Sequence, residues 1–527
     1  MGAAGGPAFG GGGTGASIAT GGSGGAAGTD IPIAGTGGAG PSSGGTSPVS
    51  SGGAGPSGFG GQSATCTPSM PVAVPPRPSS DCLATVVIPD AVAGCPDVSA
   101  CAITGAFRIQ CPNGASRTFV VPAGAGRAAV AFSTNAAKNP ARFALLGPRE
   151  TPQVEEILPQ GTRTFAMTGD PAGDVFVYPA NTSTGVWRLR RTPDGWSQEG
   201  GAMPALAGAR PFDARVLTLT KSFEMLSVVS GLSGFLSLAS IDDDCWTNRI
   251  FQRGELVIVA WAFDLDGADR PWLAALAQTP SSQMELHLYA PDGTTDATLL
   301  SPMSDREFSD ERLRVLGRGL DGQATIPSAV TQRADGIHVV SAKAGASVLP
   351  AIPGWTDTLV PGTAPNDVGN DCRDGERFGY ATTACDGQTS CSTSVAGTVH
   401  GFDVGHTTTR GTYLASLEVN AAIHFSLTGD RQSLCGFEQL PACHCTRTET
   451  SRSGQATLVL TRVDAAGVPT SPSWRFPFAV NHPTPMIVGA DTVTLTSRGD
   501  TLLALLSLGG ESDTDLRYLE IDATMLK

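Results

Sequence analysis

From Arg117 onward the chain is a succession of short apolar, β-branched runs, each closed by Gly, Pro, Asp or Asn. Examples are "RTFVV" (117–121), "AAVAFS" (128–133), "DVFVYPA" (174–180), "ELVIVAWAF" (255–263), "MELHLYA" (284–290), "ATLVLTRV" (456–463) and "TLLALLSL" (501–508). Most alternate between apolar and polar side chains, and none sustains the 3.6-residue period of an amphipathic helix. Many short strands with regular turn signals predict an all-β protein, with helix limited to short pieces near Asp305 to Arg314. Two-strand units recur at 173–196 and 261–293, both closing in Pro-Asp-Gly, and further units begin near Asp335, Arg410, Gln455 and Thr492. A spacing of roughly 40 to 60 residues is what one four-stranded blade occupies, so the expectation is a β-propeller of about six to eight blades. Tandem β-sandwiches are the alternative. The last run, "DLRYLEID" (515–522), has the form of a strand that pairs back to close a ring and remove exposed edges.

The first 65 residues are of another kind. Gly, Ala, Ser, Thr and Pro dominate, and Asp30 is the only charged residue before Ser63. Such a stretch buries too little apolar area to offset its backbone entropy, which predicts a disordered tether over 1–65. Two G-x-S-x-G matches inside it, at 21–25 and 40–44, lack the strand and helix that a nucleophile elbow requires. The expected organisation continues with a Cys-rich lead-in over 66–116, then a propeller-like domain over 117–527 carrying a second Cys-rich insertion at 366–450. The tether resembles the Gly/Ser-rich spacers that follow the lipidated cysteine in surface lipoproteins of high-GC Gram-negative bacteria such as the myxobacteria. That resemblance implies surface display, with the signal sequence and a lipid anchor upstream of Met1.

Twelve cysteines are grouped: Cys66, Cys82, Cys95, Cys101 and Cys111; Cys245 alone; then Cys372, Cys385, Cys391, Cys435, Cys443 and Cys445. Even, grouped cysteines in a loop-rich chain read as disulfides formed in an oxidising compartment, and the absence of C-x2-C pairs argues against zinc thiolates. An extracellular or outer-surface location follows. The pattern D-C-x12-C-x5-C occurs twice, at 81–101 and at 371–391, and "AAVAFS" (128–133) is echoed by "AAIHFS" (421–426). Two blades of common origin, each with the same Cys-stapled loop, would produce that repeat.

The net charge is −14. A nucleic-acid partner needs a basic face, and no Lys/Arg cluster stands in the sequence to provide one. No apolar run is long enough to span a membrane as a helix.

Candidate sites are few. "FDLDGADRPWLAAL" carries Asp264, Asp266 and Asp269 and resembles the calcium-binding FG-GAP repeat of integrin-type propellers, which implies calcium as a ligand there. It lacks one acidic position of that pattern, and a plain Asp-Gly hairpin turn is the alternative. "TPDGW" (192–196) is similar to part of a sialidase-type Asp-box and also reads as a β-turn carrying a packed tryptophan. "CHC" (443–445) cannot easily converge on one metal, because adjacent residues of an extended chain point to opposite faces. "IDDDCW" (241–246) reads as an acidic loop, and "RGD" (498–500) as either an adhesion tripeptide or a turn. His287, His338 and His424 sit in strand-like runs and read as structural residues.

No cofactor beyond calcium is expected, and no Ser/His/Asp triad can be assembled. The resulting expectation is a monomeric, non-enzymatic binding protein that meets a surface protein or glycan through loops on one face. The alternative is a polysaccharide hydrolase or lyase using carboxylates such as Asp242, Asp243, Asp264 or Asp266. It requires two of them to converge within about 5 to 10 Å.

Overall fold

The computed structural model describes residues 62–63, 72–86, 102–134, 141–147, 152–157, 164–169, 173–181, 185–192, 194–203, 223–229, 235–242, 245–252, 257–265, 271–278, 281, 283–289, 296–298, 303–304, 313–316, 328–333, 335–342, 355–361, 363, 367–372, 376–377, 388–429, 443–464, 468–470, 473–479, 493–509 and 513–526. All of them lie in antiparallel β-structure or the turns joining it. Leu313–Leu316, at the edge of the region where a short helix was expected, is a strand.

Seven sheets are present among the described residues. Sheet I contains β6 (Ala115–Ala123), β7 (Arg127–Thr134), β8 (Ala141–Leu146) and β9 (Val154–Ile157). Sheet II contains β10 (Thr164–Gly169), β11 (Val175–Asn181), β12 (Gly185–Thr192) and β13 (Gly195–Met203). Sheet III contains β14 (Phe223–Val229), β15 (Phe235–Asp242) and β16 (Cys245–Gln252). Sheet IV contains β17 (Val257–Leu265), β18 (Pro271–Gln278), β19 (Gln283–Tyr289), β20 (Asp296–Thr298) and β21 (Met303–Ser304). Sheet V contains β22 (Leu313–Leu316), β23 (Ser328–Arg333), β24 (Gly336–Ala342) and β25 (Trp355–Leu359). Sheet VI contains β26 (Asp367–Asn370), β27 (Glu376–Arg377), β28 (Ser390–Thr407), β29 (Gly411–Gly429), β30 (Cys443–Val463) and β31 (Trp474–Ala479). Sheet VII contains β32 (Val493–Arg498), β33 (Thr501–Ser507) and β34 (Asp513–Asp522), joined by β5 (Ile103–Pro112) from the other end of the chain.

Period-two alternation explains the serial packing of these sheets. Along β33, Leu502, Ala504 and Leu506 face sheet VI while Leu503 and Leu505 face sheet I. Both faces are therefore dry, and the strand reads as one unbroken apolar run rather than as alternation. β7 behaves likewise: Ala128, Val130 and Phe132 pack toward sheet VII, and Ala129 and Ala131 toward sheet II. In sheet V, Ala329 and Val340 join the core with sheet IV, whereas Val330, Ile337 and Val339 join Phe402 and Leu414 of sheet VI. Closure comes from β34, which pairs with β5 from Asp513↔Pro112 to Ile521↔Ile103. The final strand expected at 515–522 is thus the closing strand of a β-propeller.

The segment before β5 is not confined to one sheet. β1 (Gln62–Ser63) pairs with β16, β2 (Val72–Val74) with β13, β3 (Arg77–Pro78) with β9 and β4 (Leu83–Val86) with β5. In order, these short strands add an edge to sheets III, II, I and VII. Part of the stretch read as a tether and a lead-in is therefore integrated into the sheets.

Sheet VI differs from its neighbours in length. β28, β29 and β30 run for 18, 19 and 21 residues, against 7 for β33. The portions near Phe402, Tyr413 to Val419 and Ala456 to Val463 lie in the inter-sheet cores. A register shift between Val399 and Phe402 lies near the border, and farther out Thr446 to Ser451 of β30 are exposed on both faces. Sheet VI thus continues as an extension past the packed stack.

Candidate functional site

Four hairpins meet at one end of the stack, and each is tied to the next. In sheet VI the turn at Thr408 to Arg410 follows β28; in sheet VII the turn at Gly499 and Asp500 follows β32. Thr409 donates its amide and its hydroxyl to the two carboxylate oxygens of Asp500, at 2.7 and 2.6 Å. The Thr408 amide donates to the Gly499 carbonyl at 3.1 Å, and the Ser497 hydroxyl donates to the His406 carbonyl. From sheet VII, Arg498 donates to the carbonyl of Arg127 in sheet I at 2.8 Å. From sheet I, the Gly124 amide donates to the Gly173 carbonyl of sheet II at 2.8 Å.

Glycine is required at the last joint. Gly173 has φ of 90°, and a Cβ there would lie 2.4 Å from the Gly124 Cα. Any side chain would push the two hairpins apart. At the tip of the neighbouring turn Ala125 also holds a left-handed φ of 59°, a conformation that costs about 1 kcal/mol or more in an L-residue. Thr408, Thr409, Arg410, Ala125, Gly126 and Gly499 are exposed on this rim.

Electrostatics at the rim follow from these ties. The Thr409 hydroxyl and amide, with Arg410 nearby, hold the Asp500 carboxyl below the usual carboxylate value. Burial raises the Tyr413 phenol, against the opposing pull of Arg462 and Arg410. Burial and the adjacent Glu520 push the Tyr518 phenol far up, so it stays neutral and donates to Glu520 at 2.9 Å. Arg127, Arg410, Arg462 and Arg498, scattered in sequence, come from three sheets to the same end, a grouping that linear inspection could not find.

The tripeptide 498–500 is part of this lock. Arg498 is occupied by the Arg127 carbonyl and Glu520, and Asp500 by Thr409. Gly499 takes φ of 61°. Gly499 and Asp500 form a turn.

Other polar clusters have identifiable structural work. Asp403 of β28 is buried, accepts from Arg314 of β22 at 2.7 Å and from the Leu495 amide of β32 at 2.9 Å, and so links sheets V, VI and VII. His338 lies between two carboxylates, Asp357 at 2.9 Å from Nδ1 and Asp335 at 2.8 Å from Nε2, with Arg333 on the second Asp357 oxygen at 2.7 Å. Burial alone would raise the Asp357 carboxyl, but the hydrogen bonds from His338 and Arg333 outweigh it and hold it low. Both ring nitrogens of His338 are thus engaged by carboxylates of its own sheet. Asp371, Cys372 and Cys391 place three ligand atoms within 4.8 Å, yet the two sulfurs are bonded to each other.

Of the carboxylates expected to carry chemistry, Asp242 and Asp264 are among the described residues. Asp264 stands near the end of β17 opposite Trp272, while Asp266 and Asp269 lie outside the described residues. Asp242 ends β15 opposite Cys245, in a different sheet from Asp264, and Asp243 lies outside the described residues. Trp196 is buried edge-on against Phe143 behind a turn in which the Thr192 hydroxyl donates to the Gly195 carbonyl, a packed turn as expected. Cys443, His444 and Cys445 are consecutive strand residues of β30.

Two disulfides are described, Cys82–Cys111 and Cys372–Cys391. They correct the expectation of equivalent stapled loops. The first cysteine of each repeat is bonded, but to a partner outside the repeat in one copy and to the last cysteine of the repeat in the other. The Cys82 staple sits in sheet VII while "AAVAFS" sits in sheet I; the Cys372 staple shares sheet VI with "AAIHFS". Cys66, Cys95, Cys101, Cys385 and Cys435 lie outside the described residues.

No protein-family model and no curated protein matches the chain. Among solved structures it is similar to a catalytically inactive virginiamycin B lyase from Staphylococcus aureus with quinupristin, at 8% identity and a TM-score of 0.36 over 84% of this chain and 100% of that one. It is also similar to the Aleuria aurantia lectin with α-methyl-L-fucoside, at 9% identity and a TM-score of 0.31 over 68% of this chain and 97% of the lectin. The SapL1 lectin gives 12% identity and a TM-score of 0.30 over 54% of this chain and 98% of that one. No helix among the described residues is long and apolar enough to cross a membrane.

Proposed function

We propose that the protein is a secreted or surface-tethered binding protein without catalytic activity, and that it takes a glycan or protein of the cell surface on the rim formed by the hairpins of sheets VI, VII and I. The observation that supports this reading is the chain of cross-hairpin bonds, Thr409 to Asp500 and Arg498 to the Arg127 carbonyl, that fixes an exposed rim before any ligand arrives. A rim already ordered loses little conformational entropy on binding. Arg410, exposed at its centre, supplies a planar donor suited to carboxylate or hydroxyl groups. Disulfides fit an oxidising compartment.

The test is a glycan-array and surface-protein screen with the full chain, followed by Arg410→Glu on any ligand found. Binding should weaken about tenfold or more, as loss of a central charged contact does, with the thermal unfolding midpoint unchanged. Undiminished affinity in that variant would remove the rim from consideration.

A further inference from the structure

The strands at 62–63 and 72–86 follow an unusual course. The four of them take the edges of sheets III, II, I and VII in turn, the first three in the reverse of the order in which the chain later builds those sheets. Three of these pairings involve only two or three residues on the added strand, too few to hold by backbone hydrogen bonds alone. The attachment is concentrated at the far end. There the Ser79 amide donates to the Val154 carbonyl at 2.8 Å. Asp81 accepts twice from the buried Arg142 of β8, at 3.0 and 3.1 Å, and Cys82 is bonded to Cys111 of β5. Arg142 also donates to Glu156 of β9 at 2.7 Å, so one guanidinium joins the added segment to the sheet that it edges.

We propose that residues 72–86 form a latched strap. With the Cys82–Cys111 bond closed, the strap occupies the outer edges of β9 and β13. With that bond reduced, the strap peels from this end and leaves those edges open, and the partner that fits them is the same segment of a second copy of the chain. The register that β2 and β3 make within one molecule is available unchanged between two, which is the condition for exchange of an identical element. Opening the latch is ordinary thiol chemistry: a dithiol reductant is oxidised to its own disulfide as the Cys82–Cys111 bond breaks and each sulfur takes a proton.

The experiment mixes two full-length variants, Cys82→Ser and Cys111→Ser, in the presence of oxidised glutathione. Neither can form the 82–111 bond within itself, so a peptide containing that linkage, recovered from a dimer on a non-reducing gel, arises only if the strap of one chain lies on the β5 edge of the other. The dimer with that linkage is the expected result; monomers without it overturn the proposal. A second measurement does not depend on either variant folding. Hydrogen exchange over Val154–Ile157 and Gly195–Met203 of the wild-type chain should quicken by about tenfold or more when reductant is added, as expected for an edge that loses its cover. Unchanged exchange in those two strands would equally overturn it.

Discussion

The two copies of the Asp-Cys motif use one local geometry for two different purposes. Cys82 sits one position before the edge strand β4 and Cys372 two positions after the edge strand β26, and each bonds straight across an antiparallel pair. The Leu83↔Gln110 register continues to Cys82 and Cys111, and Asn370↔Thr393 continues to Cys372 and Cys391. Their Cα separations, 4.4 and 4.9 Å, are those of the close, non-hydrogen-bonded pair of an antiparallel ladder. The surroundings then diverge. Cys111 is part of the core between sheets VII and I, with Cys82 packed against it, and Asp81 reaches a third strand through Arg142. Cys372 and Cys391 pack with Leu427 and Phe425 in the extension of sheet VI, and Asp371 accepts from the Ser392 amide one residue from the staple. What the sulfurs stabilise is set by the sheet beneath them.

Removing the staples separately is the strongest way to break that comparison. The bonds close loops of 29 and 19 residues, which by chain entropy are worth about 3–4 kcal/mol each. If the surroundings did not matter, the two losses would look alike. We expect instead that replacing Cys82 and Cys111 by Ser lowers the urea midpoint of the whole ring by that amount, because the closing sheet is the joint between its two neighbours. Replacing Cys372 and Cys391 by Ser should leave the ring's midpoint within about 0.5 kcal/mol of wild type. Its effect should appear as faster exchange confined to β26 and the outer half of β28.

The aspartates give a smaller contrast. Asp81→Ala leaves Arg142, buried, with Glu156 as its remaining carboxylate. Because the Asp81 side chain is 37% exposed, the expected loss is about 1 kcal/mol. Asp371→Ala removes a carboxylate that bonds a single backbone amide on an exposed strand, and should cost about half as much. An equal loss at the two positions would mean that the Arg142 network does not anchor the strap.

These differences also explain what could be read from the chain. The strand-rich stack and the closing strand were legible because Leu516, Tyr518 and Leu519 to Ile521 are buried on a pleat whose period is in the sequence. β1 to β3 were not: "QS", "VAV" and "RP" have no pattern of their own and become strands only because an outer edge offers them hydrogen bonds. The cysteine partners were hidden for a related reason, since cross-strand register, not spacing along the chain, brings Cys82 to Cys111. The rim site needed tertiary structure altogether. Arg498 and Arg127 stand 371 positions apart and Thr409 and Asp500 stand 91 apart, and the one signal nearby, the tripeptide at 498–500, reads in the sequence as an adhesion tripeptide or a turn without showing that its charges are spent on the lock.

Acid should sharpen the contrast by the smallest but most specific effect. Burial works to raise the Asp81 carboxyl, yet the Ser79 hydroxyl bond and the Arg142 charge outweigh it and leave it below its ordinary value of 3.8. A carboxyl lowered in the folded state binds fewer protons there than in the unfolded chain, so its contribution is complete above the unfolded value and lost as pH falls through the folded one. The difference in thermal midpoint between the wild type and Asp81→Asn should therefore be constant from neutral pH to about pH 5 and shrink progressively below about pH 4. A difference that stayed constant down to about pH 2.5 would show that the Asp81 charge contributes nothing to holding the strap, leaving the Cys82–Cys111 bond as the whole latch.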